Sequence, residues 1–159
     1  MKKVNEKTNV MRILDQKKIS YMSYTYECEE AISGIEVANL LNKDQNQVFK
    51  TLVTIGNSKN YFVFLVPVHK ELDLKKAAKS VNEKSISMIK SKELLPLTGY
   101  IHGGCSPIGM KKQFMTTIDS SANNFESIIF SGGKIGYQVE VKLADLNKII
   151  KFNYSEICE

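Results

Sequence analysis

The chain has 159 residues, 43% of them hydrophobic and 25% charged, with a net charge of +5. This is the balance of one globular domain, 1–159, with a real core and little room for a second. No apolar run approaches the roughly 20 residues of a membrane span, and no apolar stretch follows the lysines near Met1, so neither a membrane span nor a secretory signal is expected, and a cytoplasmic location is.

In chain order, Thr8–Lys17 reads as a short amphipathic helix with Val10, Met11, Ile13 and Leu14 on one side. A tyrosine-rich strand follows at Ile19–Tyr26. Ser33 and Glu36 form a capping box that opens a helix carrying Val37, Ala38 and Leu41. Gln47–Ile55 and Tyr61–Val66 are strands joined by a turn at Gly56–Asn60, a hairpin. Asp73 caps a lysine-rich helix to about Ser80, Ile86–Ile89 is a short strand, and a brief helix lies near Lys92–Leu95. After the glycine-rich segment Gly99–Gly109 come a strand at Phe114–Ile118, a turn or short helix at Ser120–Asn124, and a hairpin of Ser127–Ser131 and Tyr137–Val141. A final helix covers Leu143–Ile150. Hairpin-linked strands outnumber helices, which predicts an α+β fold on a mixed, largely antiparallel sheet.

Three widely spaced cysteines, Cys28, Cys105 and Cys158, give no paired framework and no CxxC motif. With only His69 and His102 beside them, a closed metal site lacks ligands, and neither metal nor cofactor is expected. Arg12 is the single arginine, which argues against forked recognition of bases or phosphates and against a DNA partner. The lysine excess, including Lys70, Lys75, Lys76, Lys79, Lys84, Lys111 and Lys112, suits either a phosphate-rich partner or a solvated surface.

Lys50 shares a strand face with Val48, Leu52 and Thr54, and both faces of that strand look buried. A lysine there either serves an anion or snorkels from an edge strand to water. The segment Gly99–Gly109 is neither a Walker loop nor a dinucleotide fingerprint. It reads as a plain wide loop or as a loop whose glycines expose N–H groups to a ligand. Cys105, three residues after His102, is either a nucleophile or, more in keeping with its setting, a small residue shaping the loop. Ser131-Gly132-Gly133-Lys134 is a second glycine turn able to offer N–H groups and a hydroxyl.

Four blocks stand in one order: Val48-Phe49-Lys50-Thr51-Leu52-Val53; the run from Leu72 to Lys79; the run from Thr98 to Lys112 with Gly103-Gly104-Cys105-Ser106-Pro107-Ile108-Gly109; and Ser131-Gly132-Gly133-Lys134. In them the chain resembles the YbaK/EbsC family of aminoacyl-tRNA deacylases, from about Val10 to Ile157. The resemblance implies a stand-alone editing domain related to the insertion domain of prolyl-tRNA synthetases, with a curved sheet or barrel and flanking helices. It implies hydrolysis of Cys-tRNA(Pro) without an enzyme nucleophile, with the acceptor end of aminoacylated tRNA and prolyl-tRNA synthetase as partners. The family's essential lysine falls on Lys50. The pocket is expected at Tyr26, Thr51, Gly103, Gly104, Cys105, Ser106, Ser131, Gly132 and Gly133. Two departures touch pocket detail: Ile32 and Ser33 stand where some members carry an aromatic residue, and Gln138 where others carry an acid. The rival readings are an Ala-tRNA(Pro) deacylase using water and a non-catalytic tRNA- or synthetase-binding module.

Overall fold

The computed structural model describes residues 6–28 and 30–159. Helix α1 (Asn9–Gln16) starts where Thr8 Oγ1 accepts the Met11 N–H at 3.2 Å, and it buries Val10, Met11 and Leu14. It closes through Lys18, at φ 59°, with the Ile19 N–H donating back to the Leu14 carbonyl at 3.0 Å. Ile19 therefore belongs to the helix stop, and strand β1 is only Met22–Thr25, shorter than the sequence suggests. Helix α2 (Gly34–Leu41) has the expected capping box, with Ser33 and Glu36 bonding each other's N–H at 3.1 and 3.2 Å.

Strands Phe49–Gly56 (β2) and Tyr61–Pro67 (β3) form the expected hairpin, with Lys50 opposite Val66. Ile86–Met88 (β4) pairs with Thr54–Gly56 on the other edge of β2. Met115–Asp119 (β5) lies parallel to β3, and Phe152–Ser155 (β8) lies parallel to β5. These five strands make a mixed sheet in the order β4-β2-β3-β5-β8. A second, antiparallel sheet has the order β1-β7-β6, where β6 is Ser127–Ser131 and β7 is Tyr137–Lys142.

The fold is thus mixed α+β, but among the described residues the strands do not close into a barrel. The two sheets meet at one isolated bridge, Val48 to Ile129, with the Ile129 N–H donating to the Gln47 carbonyl at 3.0 Å. A carboxylate reinforces that junction. Glu140 of β7 accepts from the Tyr24 hydroxyl at 2.6 Å, from Gln47 Nε2 at 3.1 Å and from the Ser127 hydroxyl.

Both faces of the β2–β3 hairpin are covered. Phe49, Val53, Val63 and Leu65 pack with α1 and with the inner face of β6 and β7. Phe62, Phe64 and Val66 pack against helix α3 (Leu74–Ser80) and Ile157. Helix α3 begins at Asp73, whose carboxylate accepts the Lys75 and Lys76 N–H groups, each at 3.0 Å.

Three expectations shift. Helix α4 runs Ser91–Thr98, past Pro96, because one proline removes a single helical bond and the turn continues to Gly99 at φ 87°. Helix α5 is only Leu143–Leu146, since the following N–H groups of Lys148 and Ile149 bond three residues back and tighten the chain. Strand β8, absent from the sequence reading, takes up the residues after that turn. No helix among the described residues is long and apolar enough to cross a membrane.

Asp119, 3% exposed at the end of β5, accepts the Ser121 N–H at 3.2 Å and the Ile157 N–H at 3.1 Å. Burial alone would raise its pKa. Bonds from Ser121, Ile157 and the Cys158 thiol outweigh burial and hold it below the ordinary 3.8. Asp119→Asn is expected to lower unfolding free energy by about 1–3 kcal/mol at pH 7, read by urea titration. A depressed carboxylate stabilises the fold above its unfolded pKa, so the difference between variant and wild type must shrink as pH falls below 3.8.

Candidate active site

The open stretch of the β2 outer edge positions the site. In an antiparallel pair, the N–H and C=O of one residue point to the same side. The Val48 carbonyl accepts the Val68 N–H across the hairpin, so Lys50 and Leu52 also turn their backbone groups to β3. Phe49, Thr51 and Val53 turn theirs outward. At one end of that edge Gln47 meets Ile129, and at the other the Val53 carbonyl accepts the Ile89 N–H at 3.4 Å. Among the described residues no strand lies alongside Thr51, and its buried Oγ1 has no hydrogen-bond partner.

A cavity of about 440 Å³ opens onto this gap. Its size suits a small organic group, not a nucleic-acid helix. Of the residues expected from sequence, Tyr26, Lys50, Thr51, Gly103, Cys105 and Ser131 line it. Lys50 keeps 29% of its side chain exposed, and its Nζ stands 3.7 Å from Glu71 Oε2 on the rim.

Gly104, Ser106, Gly132 and Gly133 stand behind that wall and build it. The Gly104 N–H donates to the Ile101 carbonyl at 3.0 Å, and the Gly132 N–H to the Tyr137 carbonyl at 2.8 Å. The Gly133 N–H donates to Ser131 Oγ at 3.1 Å, and Ser106 Oγ accepts the Ile108 N–H at 3.3 Å. A Cβ on Gly104 would sit 3.2 Å from backbone atoms of Lys134 and Ile135, so the two glycine loops touch because Gly104 has no side chain. Gly103, at φ 87°, is the turn that brings the loop to the cavity.

Cys105 is 8% exposed, and burial pushes its thiol up to about 12 despite a hydrogen bond with Thr98. A thiol held neutral in this way is a poor nucleophile at physiological pH, so it shapes the wall rather than attacking. Burial also raises the Tyr26 hydroxyl, which pairs with the Gln138 side chain. Gln138 is 6% exposed and lines the cavity, so a neutral amide stands where relatives are expected to carry an acid.

Glu71 and the apolar walls from α2 and α4, including Ile35, Val37 and Leu94, went unnoticed in the sequence. A signal for Glu71 existed: the hairpin register sets Lys50 opposite Val66, five residues before it. The walls carried none, because they depend on how separate helices dock. Of the surface lysines, Lys76 is engaged, its Nζ donating to the Cys158 carbonyl at 2.9 Å.

Burial and charge together predict thiol accessibility. Iodoacetamide applied to the folded protein is expected to alkylate Cys28, which is partly exposed, and to spare Cys105 and Cys158, both buried with thiols near 12. Peptide mass mapping reads the sites, and native labelling of Cys105 would contradict its assignment as an inert wall residue.

Comparison with known proteins bears on the family and the fold. Residues 29–149 match the family model described as "Aminoacyl-tRNA editing domain". A relative from Enterococcus faecalis, named "Putative Cys-tRNA(Pro)/Cys-tRNA(Cys) deacylase EbsC", is 42% identical over 157 residues, covering 98% of this chain and 96% of that protein. A solved structure titled "Crystal structure of a putative trans-editing enzyme for prolyl tRNA synthetase" superposes with a TM-score of 0.81 at 19% identity, over 97% of this chain and 99% of that one. A scaffold from an epitope-grafting study has a TM-score of 0.80 at 20% identity, over 94% of each chain. At those identities the two structures speak for the fold, while the family model and the bacterial relative speak for descent. The chain belongs to the aminoacyl-tRNA editing domain family.

Proposed function

We propose that the protein is a stand-alone, trans-acting deacylase that hydrolyses cysteine wrongly esterified to the proline tRNA. The observation that carries the chemistry is a cavity whose described lining holds one lysine, Lys50, the His102 imidazole, and one thiol, Cys105, which burial holds neutral. An attacking group must then come with the substrate or from water. In Cys-tRNA the substrate supplies it. Its sulfur attacks the ester carbonyl carbon, the bond to the ribose oxygen breaks, and the thiol proton ends on that oxygen. The cyclic thiolactone so formed takes up water to release cysteine.

The protein's part is positioning and charge stabilisation. Lys50 favours negative charge at the ester and terminal ribose. The N–H groups of Gly103 and Cys105, which donate to no other backbone group among the described residues, receive the oxyanion. The outward carbonyl of Thr51 accepts the substrate ammonium. Tyr26 and Ser131 close the wall, and holding thiol against carbonyl replaces a large part of the barrier. The +5 charge suits a tRNA partner met in the cytoplasm. So small a body has limited surface for choosing one tRNA, which supports a shared complex with prolyl-tRNA synthetase.

Size alone distinguishes cysteine from proline or alanine by about 1–3 kcal/mol in an apolar pocket, so selectivity here rests on reactivity. Cys-, Ala- and Ser-tRNA(Pro) assayed side by side are expected to lose cysteine alone. Preferential loss of alanine would assign attack to water, and loss of none would leave a binding module. Lys50→Ala is expected to lower kcat/KM at least about 100-fold with the melting temperature little changed. Retained activity would remove its role.

The rate is expected to rise with pH toward the substrate thiol's pKa, near 8.5 for a free thiol, because only the thiolate attacks well. Cys105→Ala should keep that profile, since the Cys105 thiol at about 12 stays protonated throughout. A lost or displaced pH profile would restore an enzyme nucleophile.

A further inference from the structure

Glu71 is the carboxylate facing Lys50, and its contact is loose. The 3.7 Å separation is too long for a hydrogen bond, and the Glu71 side chain is 76% exposed against 29% for Lys50. Its backbone, by contrast, is pinned. The Glu71 carbonyl accepts the Glu159 N–H at 3.0 Å, Leu72 bridges Cys158, and the Asp73 N–H donates to the Ile157 carbonyl at 2.8 Å. A fixed main chain therefore holds an exposed carboxylate over the cavity's cation. Asp119 acts electrostatically on Cys158 in one direction and Lys70 and Lys50 in the other, so charges of both signs meet behind this corner of the rim.

We propose that Glu71 is a displaceable counter-ion: its carboxylate neutralises Lys50 in the free protein, and an anionic phosphate of the substrate's terminal nucleotide takes its place. The inference rests on Lys50 being the substrate-facing cation of the proposed function. An exposed ion pair of this length is weak, whereas a phosphate oxygen on an ammonium makes a shorter, charge-assisted bond. Glu71 is thus a positioning residue that acts through Lys50. It keeps the empty cavity from holding stray anions tightly, and it eases release of the discharged tRNA end.

The test uses adenosine 5′-monophosphate as a stand-in for the terminal nucleotide, titrated by NMR into the whole protein. Glu71→Gln is expected to tighten binding about two- to fivefold at low salt, and the gain should shrink as salt screens the rim. In a Lys50→Met background the Glu71→Gln gain should vanish, because the two residues act as a pair. In deacylation the change should fall on KM. Unchanged or weaker binding in Glu71→Gln, or an equal gain without Lys50, would overturn the counter-ion role. If Lys50→Met itself leaves binding unchanged, the assignment of Lys50 to the substrate fails with it. If Lys50→Met weakens binding while Glu71→Gln does nothing, only the counter-ion role is lost.

Discussion

Strand β2 has neighbours on its outer edge at its two ends, β4 beyond Val53 and the Ile129 bridge before Phe49, and the gap between them is where the molecule meets its ligand. An unpaired strand edge inside a folded protein is costly unless something satisfies its polar groups. Here the edge is open to a cavity, and both faces of the same strand are packed into core. The backbone that carries Lys50 and Thr51 is thus fixed by its neighbours above, below and on one side. That rigidity places an ammonium and a free carbonyl without any loop having to be ordered by the ligand.

The second sheet supplies the opposing wall, so its angle to the first decides the width of the cavity. One bridge and the Glu140 network set that angle. Burial alone would raise the Glu140 pKa, yet bonds from Ser127, Tyr24 and Gln47 and the charge of Lys43 hold it below the usual range. The junction is therefore ionic and hydrogen-bonded, while the cavity between the sheets is mostly neutral, with Gln138, Tyr26 and Cys105 all uncharged on its walls. Glu71 on the rim is the carboxylate that Lys50 meets there.

Much of this was legible in the sequence where local rules dominate. The caps at Ser33 and Asp73, the β2–β3 hairpin and the β6–β7 hairpin follow from spacing and turn chemistry alone. Lys50 stood out because a charge on a doubly buried strand is anomalous. What escaped depended on distant partners. Strand β8 alternates Phe152 and Tyr154 with Asn153 and Ser155, a period-two pattern, but its four residues pair only with a strand more than thirty positions earlier. The barrel implied by resemblance opened into two sheets for a similar reason, because closure is a matter of inter-strand pairing that no local pattern reports. Within the glycine loops, composition suggested a row of free N–H donors. The hydrogen bonds of Gly104, Gly132 and Gly133 are instead used to fold the loops themselves.

The parallel half of the main sheet also governs the order in which the chain can become a protein. Strands β3, β5 and β8 are neighbours drawn from residues 61–67, 115–119 and 152–155, so each pairing closes a long loop before any contact rewards it. On the ribosome the β2–β3 hairpin can form early. The outer edge of β5 and the carboxylate of Asp119 must wait for the segment from Phe152 to Cys158. Until then the nascent chain presents an unpaired strand edge to its surroundings, a state that invites misassembly. A member of a family that guards the accuracy of translation is thus most vulnerable while it is itself being translated.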